Sequence, residues 1–187
     1  MAIKIYIDQG HNPSAPNTGA EGNGLREQDI TYEVGILLAD LLRQNGNFEV
    51  RLSRPTPQTQ LGNSNASSLR VRVNDANSWG ADYFVSIHTN ASTQPSANGT
   101  EVLVYAQPST SSNLAEDILR EVTEITGLNS RGVKSRPGLY VLRKTRMPAV
   151  LVELGFISNP SDAQRMRDNP NLFARGIYQG ILDFLNL

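Results

Sequence analysis

The sequence predicts an α/β fold: three layers (αβα) around a twisted, mostly parallel sheet of about six strands. Three observations lead there. Short β-branched runs alternate along the chain with longer stretches of helical period. One run, Val150-Leu151-Val152, is continuously apolar, as strands in the buried middle of a parallel sheet are. The length of 187 residues, with 39% hydrophobic side chains, 15 Gly and 10 Pro, suits one domain that can bury its own core.

The elements follow in order. Ile3 to Ile7 reads as a first strand closing at Asp8, and residues 9–27, rich in Gly, Asn and Pro, read as a loop. Ile30, Val34, Leu37, Leu38, Leu41 and Leu42 recur at helical spacing until Asn45-Gly46 stops them, and Phe48 to Leu52 makes a second strand. Ser53 to Ser68 is a polar connection with Pro55, Pro57 and Gly62, long enough to border a site. Ser67 or Ser68 is expected to cap a helix from Leu69 to about Ser78. Asp82 to His88 is a third strand, residues 89–99 a polar loop, and Thr100 to Tyr105 a fourth strand. Ser111 or Ser112 caps a helix carrying Leu114, Ile118, Val122 and Ile125, which ends near Gly127. Leu139 to Leu142 and Pro148 to Glu153 read as strands. Ser161 or Asn159 opens a short helix, and Ile177, Ile181 and Leu185 mark a terminal one. No repeat, low-complexity tract or linker divides residues 1–187, so a single domain is expected.

Composition removes several kinds of chemistry. There is no cysteine, which excludes disulfides, thiolate zinc sites, iron–sulfur clusters and thiol catalysis. Seventeen basic against 18 acidic side chains give no support to a nucleic-acid or anionic-membrane partner. No apolar run approaches the ~18 residues of a membrane span, and Met1 to Asp8 is too short and too soon polar to read as a signal peptide. Neither a phosphate-binding loop, a Gly-x-Gly-x-x-Gly turn after the first strand, nor a Gly-x-Ser-x-Gly elbow occurs.

The two histidines carry the strongest chemical signal. His11 follows the first strand and its Gly10 turn, and His88 ends the third, so both fall at strand carboxyl ends, where open α/β sheets bind ligands. They read either as ligands of a divalent metal or as polar strand-end residues with backbone partners. Glu27, ahead of the long helix on the loop that starts beside His11, reads as a third ligand or as an acidic residue favourable to the helix dipole. Glu21 and Asp8 are alternatives, Asp8 also as a partner behind the ligands. Glu153 ends an otherwise apolar strand and is followed by Leu154-Gly155-Phe156. It needs solvent, a metal or a cation, and reads as a general base beside a metal site or as half of a salt bridge with an Arg. Asn90 is either a substrate contact or a loop-structuring residue. Tyr140 with Arg131, Lys134 and Arg136 lines a groove or forms a solvated face.

Taken together these residues resemble the zinc-dependent N-acetylmuramoyl-L-alanine amidases, the peptidoglycan-cleaving family of autolysins, spore-lytic enzymes and phage endolysins. The resemblance begins at Ile5-Tyr6-Ile7-Asp8-Gln9-Gly10-His11. It continues through Gly22-Asn23-Gly24-Leu25-Arg26-Glu27, Phe84-Val85-Ser86-Ile87-His88-Thr89-Asn90-Ala91 and Gly99-Thr100-Glu101-Val102. Its most specific stretch runs from Met147 to Pro160, around Val150-Leu151-Val152-Glu153-Leu154-Gly155-Phe156. The resemblance implies Zn2+ held by His11, Glu27 and His88, with Glu153 as catalytic acid/base and peptidoglycan, both glycan strand and stem peptide, as the partner. Where many members follow the first His with Gly-Gly, this chain has Asn12-Pro13 in a longer loop, a departure that bears on substrate preference. The near-neutral charge offers no electrostatic pull to the wall. That fits a catalytic domain whose wall-binding domain is elsewhere, released by lysis or a holin, or cut from a longer secreted chain.

Overall fold

The computed structural model describes residues 2–187. In chain order its elements are β1 (Ile3–Gln9), β2 (Glu21–Gly22), β3 (Leu25–Arg26), α1 (Glu27–Asn45), β4 (Phe48–Leu52), α2 (Asn65–Trp79), β5 (Tyr83–Asn90) and β6 (Thr100–Val104). There follow α3 (Thr110–Thr126), β7 (Ser130–Ser135), α4 (Tyr140–Lys144), β8 (Ala149–Phe156), α5 (Pro160–Asp168) and α6 (Pro170–Leu185).

Six strands form the main sheet in the order β4-β1-β5-β8-β6-β7. β4, β1, β5 and β8 run parallel, β6 is antiparallel to β8, and β7 runs parallel to β6. The sheet is thus mostly parallel, as expected. Strand alternation builds two apolar layers. Ile5, Ile7, Val85, Ile87, Val102, Val104, Val150 and Val152 face α1, α3 and α6, while Tyr6, Phe84, Leu103 and Leu151 face α2 and α4. The apolar run at residues 150–152 lies one strand in from β6, buried on both faces. Among the described residues, no helix is long and apolar enough to cross a membrane.

The structure corrects the expected elements in four places. The 9–27 segment contains a small hairpin, β2 paired with β3, and Glu27 is already the first residue of α1. Residues 139–142 are not a strand. Val141 and Leu142 bury their side chains in the α2–α4 layer as part of the one-turn helix α4, and a four-residue apolar run has too little length to separate the two periods. β7 was not expected, because Ser130–Ser135 has almost no apolar signal. As an edge strand it needs only main-chain pairing. The caps of α2 and α3 lie one turn earlier than read: Ser64 and Ser109 cap, while Ser67 and Ser112 sit at the third helical position and bond back, completing capping boxes.

α3 and α6 meet at glycines. A Cβ added to Gly180 would lie 2.4 Å from Ile118 Cα, and one added to Gly176 would lie 2.6 Å from Val122 Cα. Both neighbours are backbone atoms that cannot turn aside. Gly180→Ala is therefore expected to destabilise the fold by about 1–3 kcal/mol through overpacking, read as a lower midpoint in urea denaturation; an unchanged midpoint would mean the two helices separate without cost.

Candidate active site

The carboxyl ends of β1, β5 and β8 bring the candidate residues together. His11 lies just past β1 with φ of 67°, a left-handed backbone rare for a side-chain-bearing residue. His88 is on β5, and Glu27 opens α1 beneath them. Glu27 Oε1 lies 3.1 Å from His11 Nε2 and 3.1 Å from His88 Nδ1. The two imidazoles meet edge to face with centroids 4.8 Å apart.

Glu27 is buried and held from both sides: Ala20 N donates to Oε2 at 2.8 Å and Thr89 N to Oε1 at 2.9 Å. Burial on its own would raise its pKa. Hydrogen bonds and charge from His11 and His88 outweigh that and hold the carboxyl well below the usual carboxylate range. Close approach requires glycine at two points. A Cβ on Gly10 would meet His88 Cε1 at 2.6 Å, and one on Gly19 would meet the Glu27 carboxylate oxygen at 2.7 Å.

The donor atoms of His11, Glu27 and His88 all lie within 4.8 Å of one another. Ligands of a tetrahedral ion bound at about 2.0–2.1 Å are about 3.3 Å apart, close to the two 3.1 Å separations here. Two imidazoles and one carboxylate are a donor set for a divalent metal ion. Among the described residues, the buried His11 Nδ1 and Glu153 Oε2 have no hydrogen-bond partner. Such atoms normally face an ion, a water or a ligand.

Glu153 sits on β8 directly opposite His88 in the parallel register and opposite Glu101 in the antiparallel one. Directly paired side chains share a sheet face. Burial, then the charges of Glu27 and Glu101, push its pKa up to about 8. Among the described residues no Arg pairs with it, so the salt-bridge reading is not what the structure holds. A carboxyl with a pKa near neutrality can both accept and deliver a proton.

A comparison of the whole chain with known families now bears on this site. The family model described as N-acetylmuramoyl-L-alanine amidase matches residues 5–183. The chain belongs to that family. The amidase CwlM of Bacillus licheniformis is 38% identical over 99% of this chain and 70% of its own length. The sporulation-specific amidase of Bacillus subtilis (strain 168) is 36% identical over 99% of this chain and 69% of its own. Among solved structures, the catalytic domain of the amidase CwlV from Bacillus (Paenibacillus) polymyxa var. colistinus superposes with a TM-score of 0.86 at 32% identity, covering 98% of each chain. The protein is a peptidoglycan amidase that hydrolyses the N-acetylmuramoyl–L-alanine bond.

The structure also sorts the remaining candidates of the amidase. Asp8 stands behind the site, with Arg72 Nη1 at 2.6 Å and Ser86 Oγ donating at 2.8 Å. Burial would raise its pKa, but the Arg72 guanidinium holds it down. Glu21 is exposed in β2, outside the cluster. Asn90 Nδ2 donates to Glu101 Oε1 at 3.1 Å, and its Oδ1 accepts from Ala91 N at 2.9 Å. Sequence reasoning missed Arg72. This side chain is fully buried and donates to Asp8, to the carbonyls of Gln9 and His11, and to Ser53 Oγ. A basic residue on the apolar stripe of α2 was the available signal. Glu101 was likewise passed over: it is buried at the start of β6, where a charged residue in a strand marks a partner.

Two outcomes follow from these environments. Arg72→Met leaves Asp8 charged, buried and unpaired, and should cost about 3–5 kcal/mol in urea denaturation; a loss below about 1 kcal/mol would show that Arg72 is not the anchor. Glu153 has a folded-state pKa raised from about 4.5 to about 8, so the folded state binds its proton more tightly than the unfolded chain does. Its contribution is present in full below about pH 4.5 and is lost as pH rises through about 8. In the metal-free protein, Glu153→Gln should lose less thermal stability than the parent over that window; parallel curves would refute the burial of an ionising group there.

Proposed function

We propose that the amidase works as a zinc enzyme, with His11, Glu27 and His88 holding the ion and Glu153 acting as acid and base. The observation that carries this reading is the convergence of three donor atoms within 4.8 Å, with Glu153 opposite His88 in register. When bound, zinc would polarise the scissile carbonyl and lower the pKa of water in the site. Glu153 Oε2, unpartnered among the described residues, takes a proton from the attacking water. The water oxygen bonds to the lactyl carbonyl carbon and the C–N bond to L-alanine breaks. Glu153 returns its proton to the leaving nitrogen, giving a muramoyl carboxylic acid and a free L-alanine amino terminus. Gly10, with no Cβ, leaves room for the His88 imidazole against the His11 loop, and Asn90 donates to Glu101 at the edge of the site.

In this reading residues 1–187 are a single catalytic domain acting on the bacterial cell wall, with attachment to the wall supplied from elsewhere. Two other activities are distinguished by product. A peptidase cutting within the stem peptide would free a different amino terminus, and a wall-binding module would free none.

The decisive experiment is product analysis on purified peptidoglycan. New L-alanine amino termini without new reducing ends, abolished by chelation and restored by zinc, are expected; activity indifferent to chelation would overturn the metal assignment. Glu153→Ala should retain zinc by elemental analysis and lose about a hundredfold or more in turnover, whereas His88→Ala should lose the zinc itself. Near-full activity of Glu153→Ala would overturn its role.

A further inference from the structure

The Arg131 and Lys134 group, unassigned by the reaction, lies in line with the reacting residues. On one face of the sheet, register sets His88 beside Glu153 and Glu153 beside Glu101. β7 bulges as it passes Glu101, between the pairs Thr100–Ser130 and Val102–Val133, so Arg131 and Gly132 together face that position. Lys134 is paired with Leu103, two residues beyond Glu101 on the same face. The row therefore runs from the histidines, across Glu153 and Glu101, to two cations.

Glu101 is an anchor for both. Its Oε2 accepts from Arg131 Nε at 3.2 Å and from Lys134 Nζ, and its Oε1 from Asn90. Arg131 is further fixed by the ring of Phe156, 4.9 Å away, and by Asn98 O at 3.2 Å. Burial would raise the Glu101 pKa, but Lys134 and Arg131 hold it down, so it stays ionised. Two cations on one carboxylate leave an excess of one positive charge. Arg131 and Lys134 are 36% and 32% exposed at the side chain, against 8% for Glu101. The carboxylate is thus covered while both cations remain partly exposed to solvent.

We propose that Lys134 and Arg131 form a subsite for a free carboxylate on the second residue of the stem peptide. The proposal rests on the reading of Glu153 as the reacting group, which locates the scissile bond. From β8 across β6 to β7 is two strand spacings, about 10 Å. An extended chain advances about 3.3–3.6 Å per residue, so that distance equals two residues and a reaching carboxylate. The glycan side of the bond offers only neutral hydroxyl and acetamido groups, so the excess positive charge matches the peptide side. A carboxamide at the same place would meet donors with only half the complement and no charge.

The test uses two tripeptides, L-Ala-γ-D-Glu-L-Lys and its counterpart with the second-residue carboxylate converted to carboxamide, titrated into the intact protein by NMR. The carboxylate form should bind about tenfold more tightly. Lys134→Met, on an edge strand and leaving Arg131 on Glu101, should abolish that preference without changing affinity for the carboxamide. Turnover of the matching muramoyl-peptides should show the same difference in KM with kcat within about twofold. Equal affinities in the parent, saturation by neither peptide, or a variant that weakens both peptides alike would overturn the subsite. Because the titration involves no chemistry, a parent that separates the peptides but leaves the muramoyl–L-alanine bond intact would count against the catalytic reading and for the subsite.

Discussion

A single buried guanidinium holds the candidate site of this molecule together. Arg72, reaching up from α2, draws to itself the Asp8 carboxylate, the Gln9 and His11 carbonyls and the Ser53 hydroxyl. Those groups belong to the end of β1, the loop that follows it and the exit from β4. Such main-chain carbonyls, enclosed away from water, need donors, and the guanidinium supplies several in a fixed plane. The left-handed backbone of His11 is sustained by that fixed loop. With the loop held, the imidazole meets Glu27 and His88; without it, the first histidine has no fixed address.

Charge is arranged in the same economical way across the sheet. Three carboxylates, Glu27, Glu153 and Glu101, lie along one end of it, and each has a different environment. Glu27 takes two main-chain N–H donors and two imidazoles and stays ionised. Glu101 takes two cations and an amide and also stays ionised. Glu153, between them, has burial and two like charges and keeps its proton toward neutral pH. The middle group differs from its neighbours through burial and their charge, which is how environments push carboxyl pKa values apart within one site.

Position in the fold explains why this happens where it does. Parallel strands end together, so residues at the carboxyl ends of β1, β5 and β8 converge without any being close in sequence. The antiparallel β6 enters that same rim at its start, which is why Glu101 reaches it, and the β7 bulge delivers Arg131. At the far side Asp162 accepts from Gly99 N at 2.8 Å and Phe156 N at 2.9 Å, joining the beginning of β6 to the end of β8. Beyond His88 the register of β5 against β8 shifts, and the pairing resumes at Asn90 and Phe156, with Ile157 N donating to Asn90 O at 2.8 Å.

The sequence by itself determined the α/β class, the helical stripes, the apolar central strand and the residue types at the strand ends, because these depend on local periodicity and on burial that repeats every two or 3.6 residues. It also determined the chemistry available: two imidazoles, no thiol, and a carboxylate closing an apolar strand. What only the tertiary structure decided is what lies far apart in the chain. The edge strand β7 has no apolar pattern to announce it, and the turn at residues 140–144 has too few residues to show a period. Arg72 and Glu101 have partners only once the fold encloses them. Strand order, register and the reach of a guanidinium across 64 residues to Asp8 are products of packing, and no local pattern encodes them.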